Sequence, residues 1–242
     1  VASYQWAGQD SVVVCDLSLL KDTVDLPFSF FLKDFQIIKL DNRDEAMVGE
    51  NNLCVSENYI LVYGSVYELH PCRLFTKKGE FVTNIGAIGQ GPGEYRAVYK
   101  AEIDEKHNCI YLMPFDNSNA IYVYDLAGKP LRSIPLHQSV SKAVFKVDAD
   151  KRELTVGALP FTGYPFVAWV QDFEGYLLDS VPAARHLSVL PDYSNEVMYG
   201  ANTEVFDLYI STFFELRPDT LYHYIRSESR LKPRFTLNIG DR

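Results

Sequence analysis

The chain has 242 residues, 47% hydrophobic and 14% aromatic, room for one sizeable core but not for several large domains. Its 23 Lys and Arg against 32 Asp and Glu give a formal net charge of -9; with no basic block to displace counterions from a phosphate backbone, the composition argues against nucleic-acid binding. No apolar run approaches the roughly 18 residues of a membrane-spanning helix, and Val1 is not followed by a signal-peptide pattern.

Sixteen Tyr and fifteen Phe against three Met favour half-buried strands, and the predicted elements in chain order are almost all strands. Residues 1–32 read as an N-terminal strand, Ser11 to Leu17 (SVVVCDL), followed by a linker in which Pro27 and mixed spacing argue for a loop or a short helical turn over Ser18 to Leu32. Beyond it come a short strand, Tyr59 to Tyr63, and a hairpin, Arg73 to Gly86 (RLFTKKGEFVTNIG). The same pair recurs as Cys109 to Met113 with Tyr122 to Leu136 (YVYDLAGKPLRSIPL), and as Leu154 to Ala158 with Trp169 to Pro182 (WVQDFEGYLLDSVP). A fourth copy joins Val205 to Ser211 with Leu221 to Gly240, whose turn around Ser227 to Ser229 lacks the glycine. Turn glycines at 79, 128 and 175 supply the positive φ of each hairpin, at spacings of 49 and 47 residues.

Each unit thus holds three strands, with space before them for a fourth. Four strands in roughly 40 to 50 residues is the signature of a β-propeller blade, so the fold class is all-β, with about four blades over residues 33–242. The first strand of a blade lines the channel, and crossovers between blades emerge with the second-to-third loops on one face. That face is predicted to carry Gly86 to Arg96, Asp116 to Asn119, His137, His186 and His70.

Gly89 to Tyr95 (GQGPGEY) invites a phosphate-cradle reading, but the spacing is neither a P-loop nor a dinucleotide fingerprint, and Pro92 removes a donor. Gly89, Gly91, Pro92 and Gly93 read as a tight structural crossover, delivering Glu94, Tyr95 and Arg96 to the channel mouth as binding candidates together with His137 and His186. Asp116 to Asn119 read as an Asx-capped turn, since the residues that follow are already a strand and supply no calcium-loop glutamate. The cysteines at 15, 54, 72 and 109 fit neither a zinc motif nor a disulfide scaffold and read as small buried hydrophobes. The histidines at 70, 107, 137, 186 and 223 are unpaired at short spacing, no nucleophile elbow occurs, and no catalytic set, metal site or cofactor is assigned.

The GQGPGEY loop, following RLFTKKGEFVTNIG, resembles that of the exported six-bladed β-propellers of bacteria, an NHL-repeat-like family; FDNSNAIYVYDLAGKPL (Phe115 to Leu131) is similar to the NHL pattern, and FQIIKLDNRDEAMV (Phe35 to Val48) to the strand that opens these domains. The resemblance implies export to the periplasm or cell surface, with a lipid anchor from a cysteine upstream of this chain, and a six-bladed ring. Four units then imply either a piece of a longer protein, the favoured reading, or a smaller ring whose last blade is completed by Ser11 to Leu17. The expected role is a scaffold binding a small molecule, a glycan or a protein. The alternative is a channel-centred hydrolase or lyase, metal-assisted through histidines such as His137 and His186, as in NHL-type lyases.

Overall fold

The computed structural model describes residues 1–49, 51–64, 70–115, 117–183, 194–200, 205–211 and 218–240. An N-terminal hairpin, β1 (Ala2–Ala7) and β2 (Asp10–Asp16), comes first; two isolated 3-10 turns then lead into an irregular stretch. Four groups of four antiparallel strands follow, each laid down in chain order; the first three are separate sheets, and the last belongs to a six-stranded sheet with the N-terminal hairpin. The first is β3 (Asn51–Val55), β4 (Tyr59–Gly64), β5 (Cys72–Thr76) and β6 (Phe81–Ile85). A short parallel pair, β7 (Ala87–Ile88) and β8 (Glu94–Tyr95), crosses to the second sheet, β9 (Val98–Asp104), β10 (Cys109–Pro114), β11 (Ser118–Tyr124) and β12 (Ile134–Val140). The third is β13 (Ala143–Asp148), β14 (Glu153–Ala158), β15 (Phe166–Asp172) and β16 (Leu177–Pro182), and the fourth β17 (Glu196–Tyr199), β18 (Asp207–Ser211), β19 (Asp219–Ile225) and β20 (Arg230–Asn238). The all-β reading with propeller-type blades holds, and the strand left as a space in each unit is the inner one: β3, β9, β13 and β17.

Alternation explains why the sheets stack. Leu61, Leu74, Ile110, Leu112 and Tyr124 form one apolar layer between the first two sheets. Tyr111, Met113, Ile121, Phe145, Val156 and Trp169 form the next, and Val144, Val167, Val197, Leu208 and Tyr224 the third. Each fully buried Leu, Ile or Phe stabilises by about 2 kcal/mol, and most of that burial lies between sheets, so no sheet stands alone. At the end carrying the tight turns, polar side chains tie neighbours together. Glu105 accepts from the Asn58 backbone and side chain at 2.7 and 2.8 Å, Lys106 reaches Asp150 at 2.6 Å, and Arg226 reaches Glu153 at 2.6 Å.

Two N-terminal expectations need correction. Phe35 to Val48 contains no strand; it is irregular, with a 3-10 turn at Asp44–Ala46. It serves instead as a cover, laying Ile38, Leu40 and Val48 over Ile60, Val62 and Phe75, pinned by the Asp41 N–H to the Gly79 carbonyl at 2.7 Å and by Arg73 Nε to the Glu45 carbonyl at 2.9 Å. The strand at Ser11 to Leu17 is present as β2 and joins the last sheet, but it completes nothing there. The fourth sheet already has its four strands, and β2 pairs in parallel with the outer edge of β20, Val13 opposite Phe235 and Cys15 opposite Leu237. Its partner β1 went unread in the sequence. Asp10 anchors the hairpin to Arg230 and Lys232.

Candidate functional site

The inner strands converge on a cavity of about 750 Å³ walled by Tyr63, Tyr99, Lys100, Lys142, Glu196 and Tyr199, among others. It opens at the end where the crossovers and second-to-third loops emerge, and residues of all four sheets line it. Tyr99 leads from β9 across the hub: its hydroxyl donates to Glu196 Oε2 at 2.6 Å and accepts the Val197 N–H at 3.2 Å. Burial and that carboxylate push the phenol far above its ordinary value, so it stays neutral. Lys142, whose side chain is 4% exposed, reaches Glu196 Oε1 at 2.5 Å and donates to the Asn195 carbonyl at 2.8 Å. A buried ammonium is tolerable only with such partners.

Around this tied floor stand ring faces and two polar groups at the mouth. Phe115 packs beside Tyr99 with centroids 6.3 Å apart. Lys100 holds its ammonium 5.0 Å from the Tyr199 ring centroid, a cation–π contact, and the exposed Asn52 borders the opening. Desolvation raises the Tyr63 and Tyr199 phenols as well. The arrangement suits holding a compact polar molecule against aromatic faces.

A second cavity, about 470 Å³, lies at the opposite end of the same inner strands, bordered by Glu57, Glu102, Asp104, Glu105, Asp148 and Asp150 with Lys106, His107 and Lys146. Glu102 Oε2 accepts the Val147 N–H at 3.2 Å, and burial pushes its carboxyl up to about 7. His107 bridges Asp104 at 2.7 Å and Asp150 at 3.2 Å. Among the described residues two lysines border each cavity, while the carboxylates crowd the second, six there against one at the first.

The residues singled out in the sequence lie elsewhere. Glu94 folds back into its own loop, accepting the Gly91 N–H at 2.8 Å, and a Cβ on Gly89 would run into its carboxylate; with Gly91, Pro92 and Gly93 it borders a separate cavity of about 370 Å³. Tyr95 is buried between sheets, donating to the Ile85 carbonyl at 2.5 Å and accepting the Cys72 N–H at 2.7 Å. Arg96 is exposed. His137 sits inside β12, not beyond it, with Nδ1 3.2 Å from the Gly175 carbonyl at the tight-turn end, because that strand runs on to Val140. His186 and Asp116 lie outside the described residues. Among the described candidates none borders the hub cavity. His223 pairs with Asp207 at 2.8 Å, and among the described residues no three His, Cys, Asp or Glu side chains gather at metal-holding geometry. All four cysteines are free thiols, and burial pushes Cys72 up to about 12. Tyr63, Tyr99, Lys100, Lys142, Glu196 and Tyr199 were missed; extending the repeat to each first strand would have marked the inner strands that carry most of them.

No curated protein matches the sequence. In fold the chain is similar to a Bacteroides fragilis protein described as a candidate exported protein, with 19% identity and a TM-score of 0.58, over 86% of this chain and 56% of that one. A weaker likeness, TM-score 0.47 at 14% identity over 78% of this chain and 42% of the other, is to an auxiliary nutrient binding protein of Bacteroides thetaiotaomicron. The chain thus spans about half the length of these two structures. Residues 12–242 match the family described as a domain of unknown function, DUF4934, and the chain belongs to that family.

Proposed function

We propose that this chain is a binding domain of an exported bacterial protein, with the hub cavity as its ligand site. The observation that carries the reading is the cavity's construction: four sheets contribute to one aromatic-walled space whose floor charges already satisfy each other. A small molecule or a glycan end fits such a space better than a protein surface does. Export, with a lipid anchor upstream, is supported by the resemblance of the GQGPGEY loop to exported propellers and by the description of the B. fragilis protein. A thermal-shift screen of sugars, amino acids and short peptides tests the site, using the wild type and Met198→Trp, a bulkier side chain at an exposed cavity-lining position. A ligand is expected to raise the wild-type melting temperature by several degrees near saturation and to lose that effect on Met198→Trp; equal stabilisation of both overturns the site.

A six-bladed ring belongs to the same proposal. The outward face of the fourth sheet carries a cross-strand apolar row, Tyr209, Leu221 and Phe235, continued by Val13 and Tyr4, which a further blade would cover. A crystal structure of the natural gene product tests this: another sheet on that row is expected, and an open row contradicts it.

One observation favours a channel-centred hydrolase or lyase as a second reading: a carboxyl titrating near neutrality in a cavity, Glu102, is what a general acid–base needs. Turnover of a peptide or glycan substrate that is lost in Glu102→Gln would support it, and absence of turnover across such substrates would remove it.

A further inference from the structure

The formal charge of the hub lining differs from that of the molecule. The protein carries -9, yet among the described residues the cavity is lined by two lysines, 100 and 142, and one glutamate, 196, a net of one positive charge. That surplus has an address. Lys142 is buried and committed to Glu196, whereas Lys100 forms no ion pair with a carboxylate among the described residues and rests on the Tyr199 ring. Glu102, two residues along β9, acts on it only through space, and its raised affinity for a proton weakens even that.

We infer that the hub cavity selects a monocarboxylate carried on a hydroxylated ring, an acidic sugar of the hexuronate kind, with Lys100 as the anchor of its carboxylate; this rests on the reading of the cavity as the ligand site. An ammonium with no ion-pair partner among the described residues matches one negative charge. A phosphate monoester carries about -1.5 to -2 near neutral pH, and its second charge would face Glu196 without a cation of its own. Tyr63 and Phe115 line the same cavity and offer apolar contact to one face of a pyranose. Its hydroxyls meet the Glu196 carboxylate, whose side chain is 38% exposed, and the exposed Asn52 amide. A flat aromatic acid would use the ring faces and Lys100 but bring no hydroxyl to the Asn52 amide or to the remaining lone pairs of Glu196, and so forgo those hydrogen bonds.

Calorimetric titration of the purified chain with D-glucuronate and D-galacturonate, against D-glucose, D-galactose, glucose 6-phosphate and benzoate, tests the assignment. The uronates are expected to bind about tenfold tighter than the neutral sugars, the scale of one partly desolvated ion pair, with the advantage shrinking as salt rises. Within Lys100→Met the uronates are expected to bind no tighter than the neutral sugars do to the same variant, and within Lys100→Arg the advantage is expected to persist. Uronates bound no tighter than neutral sugars, or an advantage surviving in Lys100→Met, overturns the assignment and leaves the cavity as a binding site. Benzoate equal to the uronates overturns the sugar ring, and glucose 6-phosphate bound tighter overturns the single charge. If none of these probes binds, the assignment falls, and the cavity itself is judged by the wider thermal-shift screen on wild type and Met198→Trp.

Discussion

Thr76, Asp125 and Asp172 do the same work in three successive sheets. Each side-chain oxygen accepts the backbone N–H two and four residues on, as in Asp125 to Ala127 and Lys129 at 3.0 and 2.8 Å, with Thr76 and Asp172 following suit. A glycine at positive φ follows three residues after each, and in the fourth copy Ser229 takes that conformation at φ 47°. These positions were legible in the sequence because the chemistry is local. Their second role was not: a Cβ on Gly128 would run into the Asn84 carbonyl of the neighbouring sheet, whereas one on Gly163, also at positive φ, would meet nothing. Gly128→Ala is therefore expected to cost clearly more than the roughly 1 kcal/mol of left-handed strain that Gly163→Ala pays, which urea unfolding of the two variants measures; equal costs would contradict the packing. Gln171, which stands in the third unit where the second has Tyr124, was equally hidden: it is fully buried and holds the His137 N–H, the Trp169 indole and the Pro135 carbonyl at 2.7 to 2.9 Å. Glu102 carries a pH signature. Its carboxyl titrates near 7 in the folded protein against 4.5 ordinarily, so the native state holds the proton that the unfolded chain gives up. The stability tied to that proton is full below about pH 4.5 and lost as pH rises through 7, about 3 kcal/mol. Glu102→Gln is expected to flatten the decline between pH 5 and 7.5 in urea titrations; an unchanged slope would refute the assignment.

Strands with a local pattern were readable, and the rest was decided by contacts distant in sequence. Tyr59–Gly64, Cys109–Pro114 and Glu153–Ala158 are dense in buried residues, and the hairpins announce themselves by glycine. The inner strands mix lysines, carboxylates and tyrosines because they face the hub, so no alternation marks them; β9 reads VYKAEID. Phe35 to Val48 imitates a strand in composition, but Ile37 is 86% exposed and only the part from Ile38 onward finds a surface. The hairpin β1–β2 is the weakest element by the same measure: every residue of β1 is exposed, and its only neighbour in the sheet is β2. Amides of β1 are expected to exchange with solvent faster than those of β19, which is paired on both sides. Peptide-resolved hydrogen exchange checks this, and comparable protection would mean that something covers the hairpin.

At the scale of the whole molecule, sheet stacking gathers what the sequence scatters. Tyr63, Tyr99, Lys142 and Glu196 come from four different sheets or their connections, and only the common axis brings them to one cavity. The sequence singled out the end of the blades that carries the Gly86 to Arg96 crossover, the end the proposed site shares, but named residues that bind their own loop or pack between sheets, because a side chain's direction at a loop end is set by neighbours no local pattern records. The three methionines offer a direct test of the cavity as the ligand site. Met198 lines it, Met47 is exposed elsewhere and Met113 is buried between sheets, so methyl-labelled methionine gives one reporter and two internal controls. In a titration with the uronates and neutral sugars, the Met198 methyl signal is expected to move saturably while those of Met47 and Met113 hold still; a Met198 signal that stays fixed, or moves no more than Met47, would contradict the account.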